Sequence, residues 1–230
     1  MATYVISDLH GEYERLTKLM QLIDFSDEDQ MYVIGDVVDR GKEGVRILTE
    51  IMRRPNMHML LGNHEYMCLR YFALDATEKE KRHWNRNGNY HTLNGFDALT
   101  EEERANVLSF IRELPDSATL LVNGRKFVLI HGFTGENTYR RVWNRPVIGQ
   151  ENGLDGDVTL IIGHTPVVEY VKPDNDEEAY AYSKELTARG EHFRILHDAH
   201  FIDIDCCCGY GFSAGRLGCL RLDDMAEFYA

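Results

Sequence analysis

The chain is 230 residues long, 43% hydrophobic and 27% charged, which is enough for one large domain or two small ones. Its formal net charge of -13 argues against a nucleic-acid binder held by phosphate contacts, and no apolar stretch approaches the roughly 20 residues of a membrane helix. No Pro/Ser-rich linker interrupts the pattern, so a single domain over residues 1–230 is expected.

Short apolar runs rich in β-branched residues read as buried strands, and apolar residues three or four apart as helices. Tyr4-Val5-Ile6 is the first strand. Residues 12–24 follow with Leu16, Leu19, Met20 and Ile23 on one helical face, and Met31 to Ile34 completes a βαβ unit. Residues 42–53 repeat the plan with Val45, Ile47, Leu48 and Ile51, stopped by Pro55. Met57 to Leu61 is a strand, 65–74 a helix, and a further helix from near Leu99 is closed by Pro115. Ala118 to Val122, Asn123-Gly124 and Lys126 to Ile130 form a hairpin, because Asn-Gly suits a type I′ turn. Further strands are expected at 158–162, 167–172, 193–197, 200–205 and 217–222, and the acidic stretch 173–192 reads as a solvated excursion between two of them. The class is α/β: two stacked mixed β-sheets flanked by helices.

Five polar clusters each follow one of these strands: Asp8-Leu9-His10-Gly11, Gly35 to Gly41, Gly62-Asn63-His64-Glu65, His131-Gly132 and Gly163-His164-Thr165-Pro166. Carboxyl ends of strands are where open α/β sheets gather ligands. One such cluster is an ordinary turn; five in order, carrying Asp, His and Asn, point to a dinuclear metal site. A ligand shared by two cations must be a carboxylate, and Asp36 is the natural bridge. Asp8 and His10 then serve one metal, while Asn63, His131 and His164 complete the other. Oxygen and nitrogen donors without thiolate favour manganese, iron or zinc over calcium and do not choose among those three. The expected nucleophile is a hydroxide bridging the two cations. His64 is placed as general acid, Asp39 as the carboxylate that holds its ring, and Arg40 as a fork for phosphoryl oxygens, with Arg145 as a second fork.

Other residues read more plainly. Cys68, Cys206, Cys207, Cys208 and Cys219 fit neither a disulfide framework nor a zinc site, and the run of three reads as small packing residues. Together with an N-terminus that enters a strand without a signal, they suggest a cytoplasmic location. His58, His83, His91, His192 and His197 read as surface or loop residues, whereas His200 precedes a strand that could run toward the metals. Glu65 is expected to cap or pair with a neighbour. Trp84 and Trp143 suit either the core or a cleft wall, with the cleft favoured for Trp143.

The motifs D-L-H-G, G-D-V-V-D-R-G, G-N-H-E, H-G and G-H-T-P resemble those of the calcineurin-like metallophosphoesterases. Within them the chain is most similar to small serine/threonine phosphoprotein phosphatases of the bacterial and bacteriophage lambda type, from Asp8 to about Asp205. The resemblance implies Asp8, His10 and Asp36 on the first metal, and Asp36, Asn63, His131 and His164 on the second. It also implies His64 as acid, Asp39 as its partner, and Arg40 and Arg145 on the phosphate. The chain departs from the family at Asn89, where a glycine is usual, at Phe133, where a small residue is usual, and in its triple cysteine. It also lacks the long C-terminal extension of eukaryotic members, so no regulatory tail is expected. The implied substrate is a phosphorylated protein or a small phosphoester, without nucleic-acid or membrane partners. A symmetrical diadenosine tetraphosphate hydrolase is the alternative. Asp39 and Glu65 favour the phosphatase, because the hydrolase usually replaces the first and carries Asp in place of the second.

Overall fold

The computed structural model describes residues 1–172 and 175–230. Two five-stranded sheets stack face to face. The first contains β1 (Thr3–Ile6), β2 (Gln30–Val33), β3 (Met57–Met59), β9 (Gly218–Arg221) and β10 (Ala226–Tyr229), in the order β10-β9-β1-β2-β3. The second contains β4 (Ser117–Val122), β5 (Arg125–Ile130), β6 (Val158–Ile162), β7 (Leu196–His197) and β8 (Ile202–Asp203), in the order β4-β5-β6-β8-β7. Within each sheet three strands run parallel: β1, β2 and β3 in one, β5, β6 and β8 in the other. All six carboxyl ends lead into the candidate site, and that topology is the main thing the fold does for function.

The layers follow from strand periodicity. Val5 faces the core between the sheets, with Phe127, Leu129, Ile161 and Leu220. Its neighbours Tyr4 and Ile6 face the helices instead. Those helices are α1 (Tyr13–Leu22), α2 (Gly44–Arg53), α3 (Asn63–Phe72), α4 (Glu78–Arg86), α5 (Tyr90–Asp97) and α6 (Glu101–Glu113), whose buried residues include Leu16, Ile47, Met67, Trp84, Phe96 and Ile111. On the second sheet Val128, Ile130, Leu160 and Ile162 pack outward against Phe133 and Phe201. The Asn123-Gly124 hairpin forms as expected, with positive φ at both residues (49° and 79°), as a type I′ turn requires.

Two expectations are corrected. The segment 167–172 is not a strand: Val167–Tyr170 is a 3-10 turn after Pro166. Val167 and Val168 are buried between the sheets, which accounts for their apolar character, but β6 runs parallel to β8 and the chain must leave the sheet to cross over. Nor is the acidic stretch all loop. α8 (Asp176–Ala188) occupies much of it, with the Asn175 side chain accepting from the Glu178 amide at 3.0 Å and Ala179, Ser183 and Leu186 forming its buried face. Acidic residues in its first turn suit the positive end of a helix dipole. The first residues of that stretch, Pro173 and Asp174, lie outside the described residues. α4, α5 and the short α7 (Thr138–Trp143), like β10, were not foreseen.

Candidate functional site

Each predicted ligand stands just past a parallel strand: Asp8 and His10 after β1, Asp36 after β2, Asn63 after β3, His131 after β5 and His164 after β6. The chain turns sharply at these points. Asp8, His10, Asp36, Asp39, Arg40 and His164 all have φ between 43° and 71°, the left-handed region that side chains other than glycine seldom adopt. The first two loops are stitched together by backbone bonds from Asp8 to Gly35 (3.2 Å), His10 to Asp36 (2.9 Å) and Gly11 to Val37 (2.8 Å). Space is tight: a Cβ on Gly163 would overlap the Ser7 hydroxyl and the Asp8 carboxylate, and one on Gly209 would overlap His10.

Asp36 lies at the centre. Its Oδ2 is 3.8 Å from His10 Nε2 and 3.8 Å from His64 Nε2, and its Oδ1 is 3.3 Å from His131 Nε2. Two groups of donor atoms therefore share this carboxylate, one with His10 and His64 and the other with His131 and His164. Asp8 Oδ1 is 3.9 Å from His10 Nε2, and the Asp8 carboxylate is fixed through Oδ2 by the Ser7 hydroxyl and by the His164 amide at 3.0 Å.

The donor set fits divalent cations on three counts. First, Asp8 Oδ1, His10 Nε2 and His164 Nε2 are buried without a hydrogen-bond partner among the described residues, although such groups are normally satisfied. Second, the far nitrogens are fixed: His10 Nδ1–H donates to the Val38 carbonyl (3.0 Å) and His131 Nδ1–H to that of Ile34 (2.7 Å), which turns each Nε2 lone pair inward. Third, His131 Nε2 faces Asn63 Oδ1 at 2.9 Å and Asp36 Oδ1 at 3.3 Å. Between two oxygens it needs a positive charge. A proton meets that need against the cost of burial, and Asp36 pushes the ring up to about 10; a cation held by the same three groups meets it as well. Burial together with Arg40 and His64 lowers His10, and burial together with His131 lowers His164, so both rings are neutral donors.

His64 stands at the start of α3 with its ring held. Its Nδ1–H donates to Asp39 Oδ2 at 2.6 Å. Asp39 also accepts from Trp84 Nε1 (2.6 Å) and from the Thr92 hydroxyl (2.6 Å), so the carboxylate cannot rotate away. Trp84 is thus a core residue with a second task, packed on Tyr71 and Phe72. Arg40 reaches His64 Nε2 with Nη2 at 3.5 Å, lies 3.9 Å over the Tyr210 ring and leaves Nη1 buried and unpaired among the described residues. Glu65 is the cap expected of it. Oε2 accepts from the amides of Asp36 (2.8 Å) and Gly62 (3.2 Å), and Oε1 from those of Val37 (2.9 Å) and Val38 (3.2 Å). Burial and the Asp36 charge push its carboxyl up to about 7, while the amides pull it back toward the anion.

Arg145 is exposed at the rim and ion-paired with Glu169. It lines a cleft of about 400 Å³ with Tyr210, so it is less fully committed to the centre than Arg40. Trp143 forms the expected cleft wall, edge-on to His164 with centroids 5.9 Å apart. His200 lies at the amino end of β8, away from the site, and His58 bonds Gln30 at 2.8 Å. The departures are accommodated: Asn89 has φ -73°, needing no glycine, and Phe133 packs on Phe201. The five free cysteines are all buried, as packing residues are. Sequence reasoning missed Tyr210 and Asp205, whose Oδ2 is buried and unpartnered and whose acidity burial weakens markedly.

The calcineurin-like phosphoesterase family model matches residues 1–203. Serine/threonine-protein phosphatase 2 of Salmonella typhimurium is 30% identical over 186 residues, 73% of this chain and 80% of that protein. The symmetrical bis(5'-nucleosyl)-tetraphosphatase of the same organism is 37% identical over 83 residues, 35% of this chain but 29% of that protein. A solved candidate diadenosine tetraphosphatase shares the fold, with TM-score 0.63 at 16% identity over 99% of this chain and 92% of that one. With carboxylates and imidazoles from five parallel strand ends gathered around Asp36, the chain belongs to the calcineurin-like metallophosphoesterases and is a metal-dependent phosphoester hydrolase.

Proposed function

We propose that the chain is a single catalytic domain that hydrolyses phosphoserine and phosphothreonine monoesters in proteins. The observation that carries the reading is the His64 ring, anchored on Asp39 at 2.6 Å, with Nε2 beside both Asp36 (3.8 Å) and Arg40 (3.5 Å). An alkyl phosphate has a poor leaving group, and a proton delivered at the ester oxygen is what its departure requires. Asp8, His10 and Asp36 would hold one cation, and Asp36, Asn63, His131 and His164 the other, a donor set that suits manganese, iron or zinc. His64 stays out of the ligand set in this reading, because Asp39 claims its Nδ1 and the Arg40 guanidinium faces its Nε2. Two bound cations supply charge neutralisation at the phosphoryl oxygens and a water acidic enough to attack near neutral pH.

The protein residues do the rest. Arg40, with Nη1 unpaired, grips a phosphoryl oxygen, and Arg145 adds a second contact when it lets go of Glu169. His64 gives its proton to the leaving oxygen while Asp39, locked by Trp84 and Thr92, keeps the ring in line. Similarity to a protein phosphatase along most of the chain supports this substrate class, and five buried thiols support a reducing, cytosolic setting. The second reading, a symmetrical dinucleoside tetraphosphatase, draws on the shorter match to such an enzyme and on the aromatic wall at Trp143, which offers a face for a base.

One experiment separates them. The protein is stripped of metal, restored with manganese and incubated with a phosphoserine peptide and diadenosine tetraphosphate together. Phosphate release with intact dinucleotide supports the phosphatase; ADP appearing first overturns it.

A further inference from the structure

α4 is capped at Thr77, whose side chain accepts from the Glu80 amide, and it carries Lys79, His83 and Arg86 at i, i+4 and i+7, one face of the helix. All three line a cleft of about 360 Å³ whose opposite wall includes Tyr66, Tyr139 and Trp143. The cleft leads away from the metal cluster. Trp143 touches it at His164, with centroids 5.9 Å apart, and His83 faces Trp143 at 5.5 Å. Arg86 also lines the neighbouring cleft together with Arg40 and Tyr210, so it stands between the phosphate fork and the aromatic wall.

The charges on this face are unbalanced. Arg70, on the floor, is neutralised by Glu80 at 2.8 Å and Asp75 at 3.3 Å. Lys79 and Arg86 make no ion pair among the described residues; Arg86 only gives its Nε–H to the Arg82 carbonyl at 3.3 Å. In a chain of net charge -13, these two exposed cations without an ion pair among the described residues make one helical face a place where an anionic group is favoured.

We propose that Lys79 and Arg86 form a subsite for a second anionic group on the substrate, just beyond the phosphate that is hydrolysed. The inference rests on the phosphomonoesterase reading of the metal site and adds a substrate class to it. An acidic or phosphorylated residue next to the phosphoserine supplies such a group, and so do the outer phosphates of a nucleotide. A bare aryl phosphate carries none. Each exposed charge contact multiplies binding by about 1.5- to 5-fold, so the pair together gives about 2- to 25-fold, and a preference of about fivefold lies within that range. The preference shrinks with added salt, since a Debye length of about 8 Å at physiological ionic strength leaves such contacts partly screened.

The test is kcat/KM of the manganese-loaded enzyme on phosphoserine peptides flanked by Glu, Ala or Lys, on diadenosine tetraphosphate and on p-nitrophenyl phosphate. Wild type is compared with Lys79→Ala/Arg86→Ala and Lys79→Glu/Arg86→Glu. The expected result is a preference of about fivefold for the Glu-flanked over the Ala-flanked peptide, lost in the Ala pair and turned toward the Lys-flanked peptide in the Glu pair. Turnover of p-nitrophenyl phosphate stays close to wild type throughout. Equal losses on p-nitrophenyl phosphate and peptide overturn the subsite, because the residues would then be serving the centre itself. Peptide cleavage without charge preference also overturns it and leaves the phosphatase reading standing. Inert peptides, with dinucleotide cleavage that weakens in the variants, keep the subsite for a polyphosphate and overturn the phosphatase reading.

Discussion

Glu65 is buried, sits one residue past the proposed acid, and through its own oxygens holds the backbone from which Asp36 projects. Each carboxylate oxygen accepts two amides, one oxygen those of Asp36 and Gly62, the other those of Val37 and Val38. Glu65→Gln keeps the shape but turns one oxygen into an NH2 group, which faces two N–H donors. Two buried amides then lack an acceptor at about 1–3 kcal/mol each, so the cost is about 2–6 kcal/mol. That is a large share of the roughly 5–15 kcal/mol by which domains are stable. Glu65→Ala should not cost twice as much, because the space it vacates admits water that can accept from the amides. Urea unfolding in excess chelator is the assay, since bound metal would add its own stabilisation and mask the loss. The midpoint should fall at unchanged m-value. Manganese affinity should fall by about 10–100-fold, the usual cost of losing a group that orients a ligand. A Glu65→Gln protein within about 0.5 kcal/mol of wild type would refute the idea that the carboxylate holds this loop.

His64→Asn should bind manganese normally while turnover of alkyl phosphates drops about 10²–10⁴-fold, with a smaller loss on p-nitrophenyl phosphate, whose leaving group needs no proton. Equal losses across leaving groups would sink the acid assignment. Gly163→Ala drives a methyl into Ser7 and Asp8, so calorimetric titration should lose the manganese site built on Asp8 and His10 before the one built on His131 and His164; retention of both would show that the loop yields. Asp116 ties β4 to α7 through the Thr138 hydroxyl (2.6 Å) and Arg141 (2.9 Å), and against the cost of partial burial these bonds hold its carboxyl below the usual range. A depressed folded pKa means that its stabilisation is present above pH about 4 and lost as pH falls through the folded value. Asp116→Asn should therefore cost about 1 kcal/mol at pH 7 and flatten the acid side of a stability profile; an unchanged acid slope would refute the clamp.

The residues that gather around Asp36, the proposed metal ligands, were legible because each is local to a strong signal, an apolar strand ending in Asp, Asn or His. What they converge on needed only the rule that parallel strands present one end together. Tyr210 carries no such signal. Its ring meets Arg40 because the chain leaves β8, turns back over His10 and passes Gly209 with no room for a side chain, a contact spanning most of the sequence. Thr92 is likewise an unremarkable helical threonine until Asp39 is beside it. α4 and α8 lack an apolar stripe wide enough to announce them, and their signals were in the caps, Thr77 with Glu80 and Asn175 with Glu178. Val167 and Val168 misled for the opposite reason: burial produced an apolar run where no partner strand was available.

The positive φ values show where stability is spent on function. Six of the proposed site residues sit in the left-handed region, at a cost of about 1–3 kcal/mol for each strained position, somewhat less for Asp. The gain is geometric: a residue that continued the strand would point its side chain across the sheet, whereas the left-handed turn swings Asp8, Asp36 and His164 back over the strand ends. Holding those turns without metal is the task of groups that never meet substrate. Glu65 holds four amides, Ser7 fixes Asp8, Thr92 and Trp84 fix Asp39, and the Gly88 carbonyl accepts from the Arg40 amide at 2.9 Å. Such bonds are already formed when cations arrive, so binding energy is not consumed in reshaping the loops. It follows that variants at Ser7 and Glu65 should weaken manganese binding in proportion to the stability they remove from the metal-free protein, while His64 and Arg40 variants should weaken turnover without that cost. A set of variants in which metal affinity and metal-free stability vary independently would break the link between strain and preorganisation.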